Sequence, residues 1–218
     1  MHHSISSKSI ALLSLVIMSF GLLLTRIIIT GELTFTFLVW NLFLAYIPLG
    51  ISTLVHLKRN EIERWQFWPI AGLWLLFFPN APYILTDLFH LMPRERSQEW
   101  FDLLLIVAFA ITGLVFGLLS LRNMHRTISR LYSQSTVILF VSCSIFLGSF
   151  GVYLGRFERY NSWDILRTPI EIFHDIAIRV LYPFEHPTTW GLTLGLSVLL
   201  AILYVFLGGV EVNNEKRQ

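Results

Sequence analysis

Two side chains three residues apart, Asp87 and His90, have the types and spacing that acid–base chemistry requires. Residues three apart share one face of a helix, which would place the carboxyl group beside the imidazole. Such a pair serves as a general acid and base, so both residues are predicted to be catalytic. The pair could instead supply two metal ligands, with His174 and Asp175 completing the set. Two ligands alone make no site, so no metal is predicted, and the sequence identifies no cofactor.

Further polar residues are predicted to bind a substrate. Arg156 and Arg159 would hold anionic oxygens through paired hydrogen bonds. Asn41 and Asn80 would orient the bound molecule. The predicted substrate-binding set is completed by Tyr83, Asn161 and Asp164.

Each of these polar residues also has a structural interpretation. Asn41 could join two helices by a hydrogen bond, which contributes about 0.6 kcal/mol on average in a membrane. Asn80 could cap a helix end. Asp87 could form an ion pair with Arg156 or Arg159. The sequence leaves these alternatives open.

The composition requires a membrane environment. Of the 218 residues, 55% are hydrophobic and only 14% are charged, whereas soluble domains carry about 25% charged residues. This excludes a water-soluble globule, and the high hydrophobicity excludes disorder. The net charge of +2 and the scattered basic residues exclude nucleic acid as a partner. The predicted partners are the lipid bilayer and an anionic or lipid-linked ligand.

Six apolar stretches are long enough to cross the ~30 Å hydrocarbon core, which takes about 20 helical residues. Because lipid tolerates no unpaired backbone groups, these stretches predict an all-α bundle of transmembrane helices. The bundle forms a single domain over residues 1–218. The predicted spans are approximately 10–29, 35–57, 67–91, 100–121, 132–154 and 190–207.

The third predicted span is interrupted by Pro79 and Pro82. Proline removes a backbone donor and disfavours helix at the preceding residue, which predicts a broken helix. Broken backbone at membrane depth must be surrounded by protein or by a water-filled cavity, and it marks binding sites in transporters. The alternative is a span that ends at Phe78 and is followed by an interfacial loop.

An amphipathic helix is predicted over residues 169–181, on the outer membrane surface. Its apolar residues recur at helical spacing, while Glu171, Asp175 and Arg179 step by four along another face. Pro169 suits the first helical position, and Pro183 ends the helix.

Three single residues carry further expectations. Asp102 is expected to be a solvated charge at a helix start, favoured by the helix dipole. Cys143 is expected to be a small packing residue in mid-span. His125 is expected to lie at the membrane interface without a specific role.

Lysine and arginine counts place both termini in the cytoplasm. The clearest cytoplasmic mark is the connection 122–130, which holds three arginines and no acidic residue. The long connection 155–189, by contrast, mixes its arginines with five acidic residues. Under this topology the candidate residues converge at the extracytoplasmic end of the bundle.

Three segments carry a resemblance to a known family. They read WNLFLAYIPL at 40–49, FFPNAPYILTDLFHL at 77–91 and GVYLGRFERYNSWD at 151–164. Together they resemble an uncharacterised bacterial membrane-protein family, the domain of unknown function 1361. The resemblance implies a small multi-span protein of the bacterial plasma (inner) membrane, and it supplies no activity.

Three functions stay open at this point. The first is an extracytoplasmic-facing polar pocket that binds or processes an anionic or lipid-linked substrate. The second is a non-catalytic accessory or assembly protein. The third is a small transporter or channel subunit, although the inner halves of the spans carry few polar groups to line a path.

Overall fold

The computed structural model describes residues 7–91 and 99–208. Within these ranges every regular element is a helix. Six helical segments are long and apolar enough to cross a membrane, which confirms the all-α bundle and identifies a multi-pass membrane protein. The elements are α1 Ser7–Thr30, α2 Phe37–Leu57, α3 Arg64–Phe77, α4 Asn80–Tyr83, a 3-10 helix Ile84–Leu91, α5 Glu99–Leu131, α6 Gln134–Phe157, α7 Asp164–Arg167, α8 Pro169–Leu181, a 3-10 helix Pro183–Glu185 and α9 Pro187–Phe206.

The central helix of the bundle is α5. Other parts of the chain bury 61% of its apolar stretch, compared with 17% for α1 at the periphery. One hydrophobic cluster joins α5 to α3, α6 and α9 around Trp74 and Leu121. A second cluster joins α5 to α1 and α2 around Leu38 and Phe109. The remaining spans are therefore positioned through their contacts with α5.

The fourth span is longer than its apolar stretch. Instead of ending near residue 121, α5 continues to Leu131, so the connection expected over 122–130 is helical. Its 33 residues make a helix about 50 Å long, well beyond the ~30 Å hydrocarbon core. Met124 and Ile128 in this extension are completely buried, so packing maintains the helix where the sequence becomes polar.

The sequence predicts a third span that is broken at Pro79 and Pro82, and the structure shows a bent helix there. The chain passes from α3 through Phe78 and Pro79, both in helical conformation, directly into α4. It then tightens into the 3-10 helix Ile84–Leu91. By length and composition the segment Arg64–Phe89 is a single candidate span, and the loop expected after Phe78 in the alternative interpretation is helical instead.

Glycines on the neighbouring helices leave the space that the side chains of the bend occupy. A Cβ atom at Gly148 would lie 2.6 Å from the Phe78 ring, and one at Gly151 would lie 2.5 Å from the Pro79 ring. On α5, a Cβ atom at Gly113 would be 2.6 Å from a side-chain carbon of the 3-10 helix. Small residues let helices approach closely in membranes, where van der Waals packing drives their association. These glycines therefore fix the position of the bend.

The surface helix forms as predicted, as α8, but it buries both Arg179 and the apolar Ile172 against the bundle, while Glu171 stays exposed. Arg179 is 8% exposed, whereas Ile170 and Phe173 are 83% and 65% exposed. The Arg179 guanidinium lies 2.5 Å from the Glu158 carboxylate and donates to the Tyr153 hydroxyl at 3.3 Å. The ion pair of Arg179 and the burial of Ile172 therefore both hold α8 against the bundle.

Asp102 is buried rather than solvated, which corrects the expectation from its place at a helix start. The Arg26 Nε atom donates to Asp102 Oδ1 at 3.1 Å, and both side chains are 3% exposed. Arg26 also pairs with Glu32 at 3.2 Å. The ion pair joins α1 to α5 across the helix interface.

Two further expectations fail because position along a span does not reveal the direction of a side chain. Cys143 is exposed on the surface of α6 instead of packed inside. His125 is buried, and its ring is hydrogen-bonded to the hydroxyl of Tyr204 on α9.

Candidate functional site

Three side chains from separate elements form a polar network: Asn41 on α2, Asp87 on the 3-10 helix and Arg156 on α6. Asp87 Oδ2 accepts a hydrogen bond from Asn41 Nδ2 at 2.8 Å, and Asp87 Oδ1 lies 3.3 Å from Arg156 Nη1. The Asp87 side chain is 1% exposed. Of the alternatives for Asp87, the ion pair with Arg156 therefore forms, and Asn41 makes an interhelical hydrogen bond.

The Arg156 guanidinium is held in one orientation. Its Nη2 atom donates to the Thr86 carbonyl at 2.6 Å. The guanidinium carbon Cζ of Arg156 lies over the rings of Tyr83 and Phe89, at 5.8 and 5.5 Å from their centroids. Cation–π contacts of this kind strengthen when the cation is desolvated. Because the side chain is only 15% exposed, Arg156 is positioned before any ligand arrives.

Side chains satisfy the backbone at the bend of the third span. Asn80 Nδ2 donates to the Phe77 carbonyl at 2.9 Å and to the Ser162 hydroxyl oxygen at 3.0 Å. The Ser162 hydroxyl in turn donates to the Leu76 carbonyl at 2.9 Å. Buried carbonyls require such donors, because an unpaired one in a membrane costs several kcal/mol. Asn80 thus caps the bend, and it joins the bend to the segment that follows α6.

A cavity of about 260 Å³ lies beside this bend. We call it the apolar groove, since most of its wall is hydrophobic. Polar atoms enter it from Asn41, Asn80 and Ser162. The hydrophobic wall includes Trp40, Leu44, Leu75, Leu154, Ile172 and Ile176. Because the last two residues lie on α8, the surface helix covers one side of the groove.

A second, more polar cavity adjoins the apolar groove and shares Tyr83, Gly155 and Asn161 with it. Its remaining lining comes from Arg156 and Arg159, so we call it the arginine opening. Two guanidinium groups at one end of a hydrophobic groove provide donors for an anionic group with an apolar tail. The predicted residues Asn41, Asn80, Tyr83, Arg156, Arg159 and Asn161 therefore all line these two adjoining cavities, which together we call the depression.

Arg159 has an unusual backbone conformation. Its φ angle is 62°, in the left-handed region where glycine is normally found at the end of a helix. A residue with a side chain is disfavoured there by roughly 1–2 kcal/mol. Strained residues of this kind cluster at functional sites, and Arg159 is exposed at the rim of the arginine opening.

Asp164 lines neither of these two cavities. Its Oδ2 atom accepts hydrogen bonds from the Asn161 backbone N–H at 2.7 Å and from Asn161 Nδ2 at 3.2 Å. These bonds close the turn that leads into α7. Asp164 therefore holds Asn161 in place beside the cavities.

The predicted acid–base pair is only partly described. His90 belongs to the 3-10 helix Ile84–Leu91, but its side chain lies outside the described part of the structure. Its pairing with Asp87 stays a prediction. Over residues 7–91 and 99–208, no group of three or more His, Cys, Asp and Glu side chains is arranged to hold a metal ion.

Two residues of the depression escaped the sequence reasoning, although both flank Asn161 in the third motif segment. Ser162 bridges to the bend, as described above. Tyr160 lines the apolar groove and donates to Asp175 Oδ2 at 2.8 Å. This hydrogen bond raises the pKa of the Tyr160 phenol and joins the segment after α6 to α8.

The comparisons with known proteins agree with the motif segments. No curated protein and no solved structure matches the chain. The model of one family, described as "Protein of unknown function (DUF1361)", matches residues 40–203, which include the bend, the polar network and α8. Since this match covers three quarters of the sequence, the chain belongs to the DUF1361 family.

Proposed function

We propose that this membrane protein binds an amphiphilic molecule, with an anionic group in the arginine opening and an apolar chain in the apolar groove. The observation that carries the proposal is that the two cavities adjoin, with Tyr83, Gly155 and Asn161 lining both. Each buried methylene group of the chain would contribute about 0.8 kcal/mol. A lipid-linked anion, such as a lipid phosphate, has this combination of parts.

The two arginines have different tasks in this proposal. Arg156 is fixed by Asp87 and by two aromatic rings, so it presents its charge at little entropic cost. Arg159 is exposed and adjusts to the ligand. Both oxygens of Asp87 are already engaged, by Asn41 and Arg156. This favours binding over processing, with Asp87 as a positioning residue.

We further propose that the arginine opening faces away from the cytoplasm. At the opposite end of the bundle, residues 58–64 and 122–130 carry six basic residues and two acidic ones. Cytoplasmic ends of membrane proteins are enriched in lysine and arginine. The basic residues are Lys58, Arg59, Arg64, Arg122, Arg126 and Arg130, and the acidic residues are Glu61 and Glu63.

An accessory or assembly role is the second candidate, because the polar network satisfies its own members. Asn41, Asp87 and Arg156 could serve only to join α2, the third span and α6. In that case neutral replacements that preserve the packing would leave the protein fully functional, and no ligand would bind the groove.

Binding of decyl phosphate to the purified protein in detergent tests the proposal. We expect the Arg156→Gln variant to bind this probe at least tenfold more weakly, because a hydrogen bond to a charged group contributes about 1.5–3 kcal/mol. Decanol, which has the same chain without the anion, should bind all variants equally weakly. Isothermal titration calorimetry provides the measurement.

The control for folding is the double variant Asp87→Asn with Arg156→Gln, which leaves no unpaired charge in the network. This variant should fold with the stability that a neutral pair of amides gives the network. It should still fail to bind decyl phosphate. Unchanged binding by both folded variants would exclude the proposed site and favour the assembly role.

The Arg159→Gly variant, at the rim of the arginine opening, should change stability and ligand binding in opposite directions. Glycine adopts a positive φ angle without strain, so the free energy of unfolding should rise by up to about 1 kcal/mol. Binding of decyl phosphate should weaken, because one of the two guanidinium groups is lost. Arg167→Gln, which removes an exposed arginine of α7 outside both cavity linings, should change neither property. Normal binding by the Arg159→Gly variant would show that Arg159 acts only at the helix end.

A further inference from the structure

Four arginines gather at the basic end of the bundle without acidic partners. In the part of the chain that the structure describes, Arg59, Arg122, Arg126 and Arg130 take part in no ion pair. Three of them recur every fourth residue along α5, and so share one side of that helix. Arg59 donates to the backbone carbonyl of His56 at 3.0 Å. Clustered like charges repel one another, so this end needs a counterion.

Buried nitrogen atoms at this end also lack hydrogen-bond partners in the described chain. Arg122 donates through Nη1 to the Leu207 carbonyl at 3.3 Å, but within the described chain its buried Nε atom has no hydrogen-bond partner. The same is true of Nε2 of His125, a side chain that is 8% exposed, and of Nδ1 of His56. Arg59, Arg126 and Arg130 lie within electrostatic range of His56. Unpaired buried polar atoms call for an explanation, and an oxygen-rich anion supplies one.

The length of α5 places these arginines at the level of lipid headgroups. If the helix enters the membrane at Glu99, its rise of 1.5 Å per residue puts Arg122 about 35 Å and Arg130 about 46 Å along it. The hydrocarbon core ends at about 30 Å and the headgroup layer takes up roughly the next 5–8 Å. Arg122 therefore lies in that layer, and the long side chains of Arg126 and Arg130 reach back toward it from its aqueous side. Leu54 and Leu57, on the last turn of α2, are 65% and 72% exposed and offer an apolar surface beside the arginines.

We propose that this end of the bundle binds the phosphate of an anionic phospholipid headgroup among Arg59, Arg122, Arg126 and Arg130. Phosphate oxygens only accept hydrogen bonds, and this cluster mainly offers donors. Basic pockets between transmembrane helices are known to hold such headgroups. The adjacent leucines would contact the acyl chains. The site is separate from the arginine opening and does not depend on the function proposed for it.

Lipid-dependent thermal stability of the purified protein tests this site. We expect cardiolipin, with two phosphates, to raise the melting temperature in detergent more than phosphatidylglycerol does, and phosphatidylcholine to have little effect. Arg126→Gln and Arg130→Gln should each weaken the apparent affinity for cardiolipin roughly fivefold, which corresponds to the contribution of one arginine near an anionic surface. Arg126→Lys, which keeps the charge, should restore most of the affinity.

Arg167→Gln, on α7 at the other end of the bundle, is the matched control and should leave the cardiolipin response unchanged. Because Arg130 is exposed, its replacement tests the site even if Arg126→Gln does not fold. Equal responses of the wild type and the folded Gln variants would overturn the proposal. So would a response to inorganic phosphate as large as the response to cardiolipin, because the ligand would then not be a lipid.

Discussion

Asp102→Ala is expected to destabilise the protein by about 3–5 kcal/mol, because it leaves the Arg26 guanidinium buried without its nearest carboxylate. Arg26 is 3% exposed, so water cannot replace the lost partner without a structural change. The cost arises because the buried guanidinium keeps only the exposed Glu32 as a carboxylate partner, rather than from the pair itself. Unfolding in mixed detergent micelles, followed by circular dichroism, gives the difference in free energy.

Two further variants separate this mechanism from a simple loss of contacts. Glu32→Ala removes the second carboxylate partner of Arg26. Because the Glu32 side chain is 56% exposed, this variant should lower the free energy of unfolding by less than about 1 kcal/mol. The double variant Arg26→Met with Asp102→Leu removes both buried charges and should be much more stable than Asp102→Ala alone. If all three variants were equally destabilised, the loss of the buried carboxylate partner of Arg26 would not be the cause.

The buried ion pairs concentrate at the end of the bundle that carries the arginine opening. Arg26 pairs with Asp102, Arg156 pairs with Asp87, and Arg179 of α8 pairs with Glu158. Charged residues within membrane proteins are expensive and tend to serve a function. The first and third pairs hold α1 and α8 in place, while the second lies in the wall of the depression.

The spans and the bend could be predicted from the sequence because each depends on local properties. A run of apolar residues determines whether a helix can cross the membrane, and Pro79 and Pro82 act on the backbone next to them. The pairing of Arg26 with Asp102, in contrast, joins residues 76 positions apart. It depends on which faces of α1 and α5 meet, and no local pattern reveals that.

The candidate site was predictable in part for the same reason. The distance of each residue from the end of its span predicts its depth in the membrane. This places Asn41, Asp87 and Arg156 at a common depth. Their hydrogen bonds could not be derived in this way. The orientation of α8 was also hidden, because an amphipathic pattern indicates two faces but not which of them contacts protein.

Gly151→Ala is expected to lower the free energy of unfolding by about 1–3 kcal/mol, the usual effect of overpacking a close contact. The new Cβ atom would lie 2.5 Å from Cγ and 2.9 Å from Cβ of Pro79. A proline ring cannot rotate away as a flexible side chain would, so the bend itself must shift. Because Pro79 and Gly151 both line the apolar groove, binding of decyl phosphate should weaken together with stability.

Gly72→Ala is the matched control, since Gly72 lies inside α3 and a Cβ atom there would have no neighbour within 4 Å. Alanine is a better helix former than glycine by about 1 kcal/mol, so this variant should be slightly more stable and should bind normally. Gly155→Ala should fall between the two, because its Cβ atom would lie 3.3 Å from the Tyr83 ring, which can adjust. An order of stability other than Gly72→Ala, Gly155→Ala and then Gly151→Ala would mean that the bend is not held by the close approach of these helices.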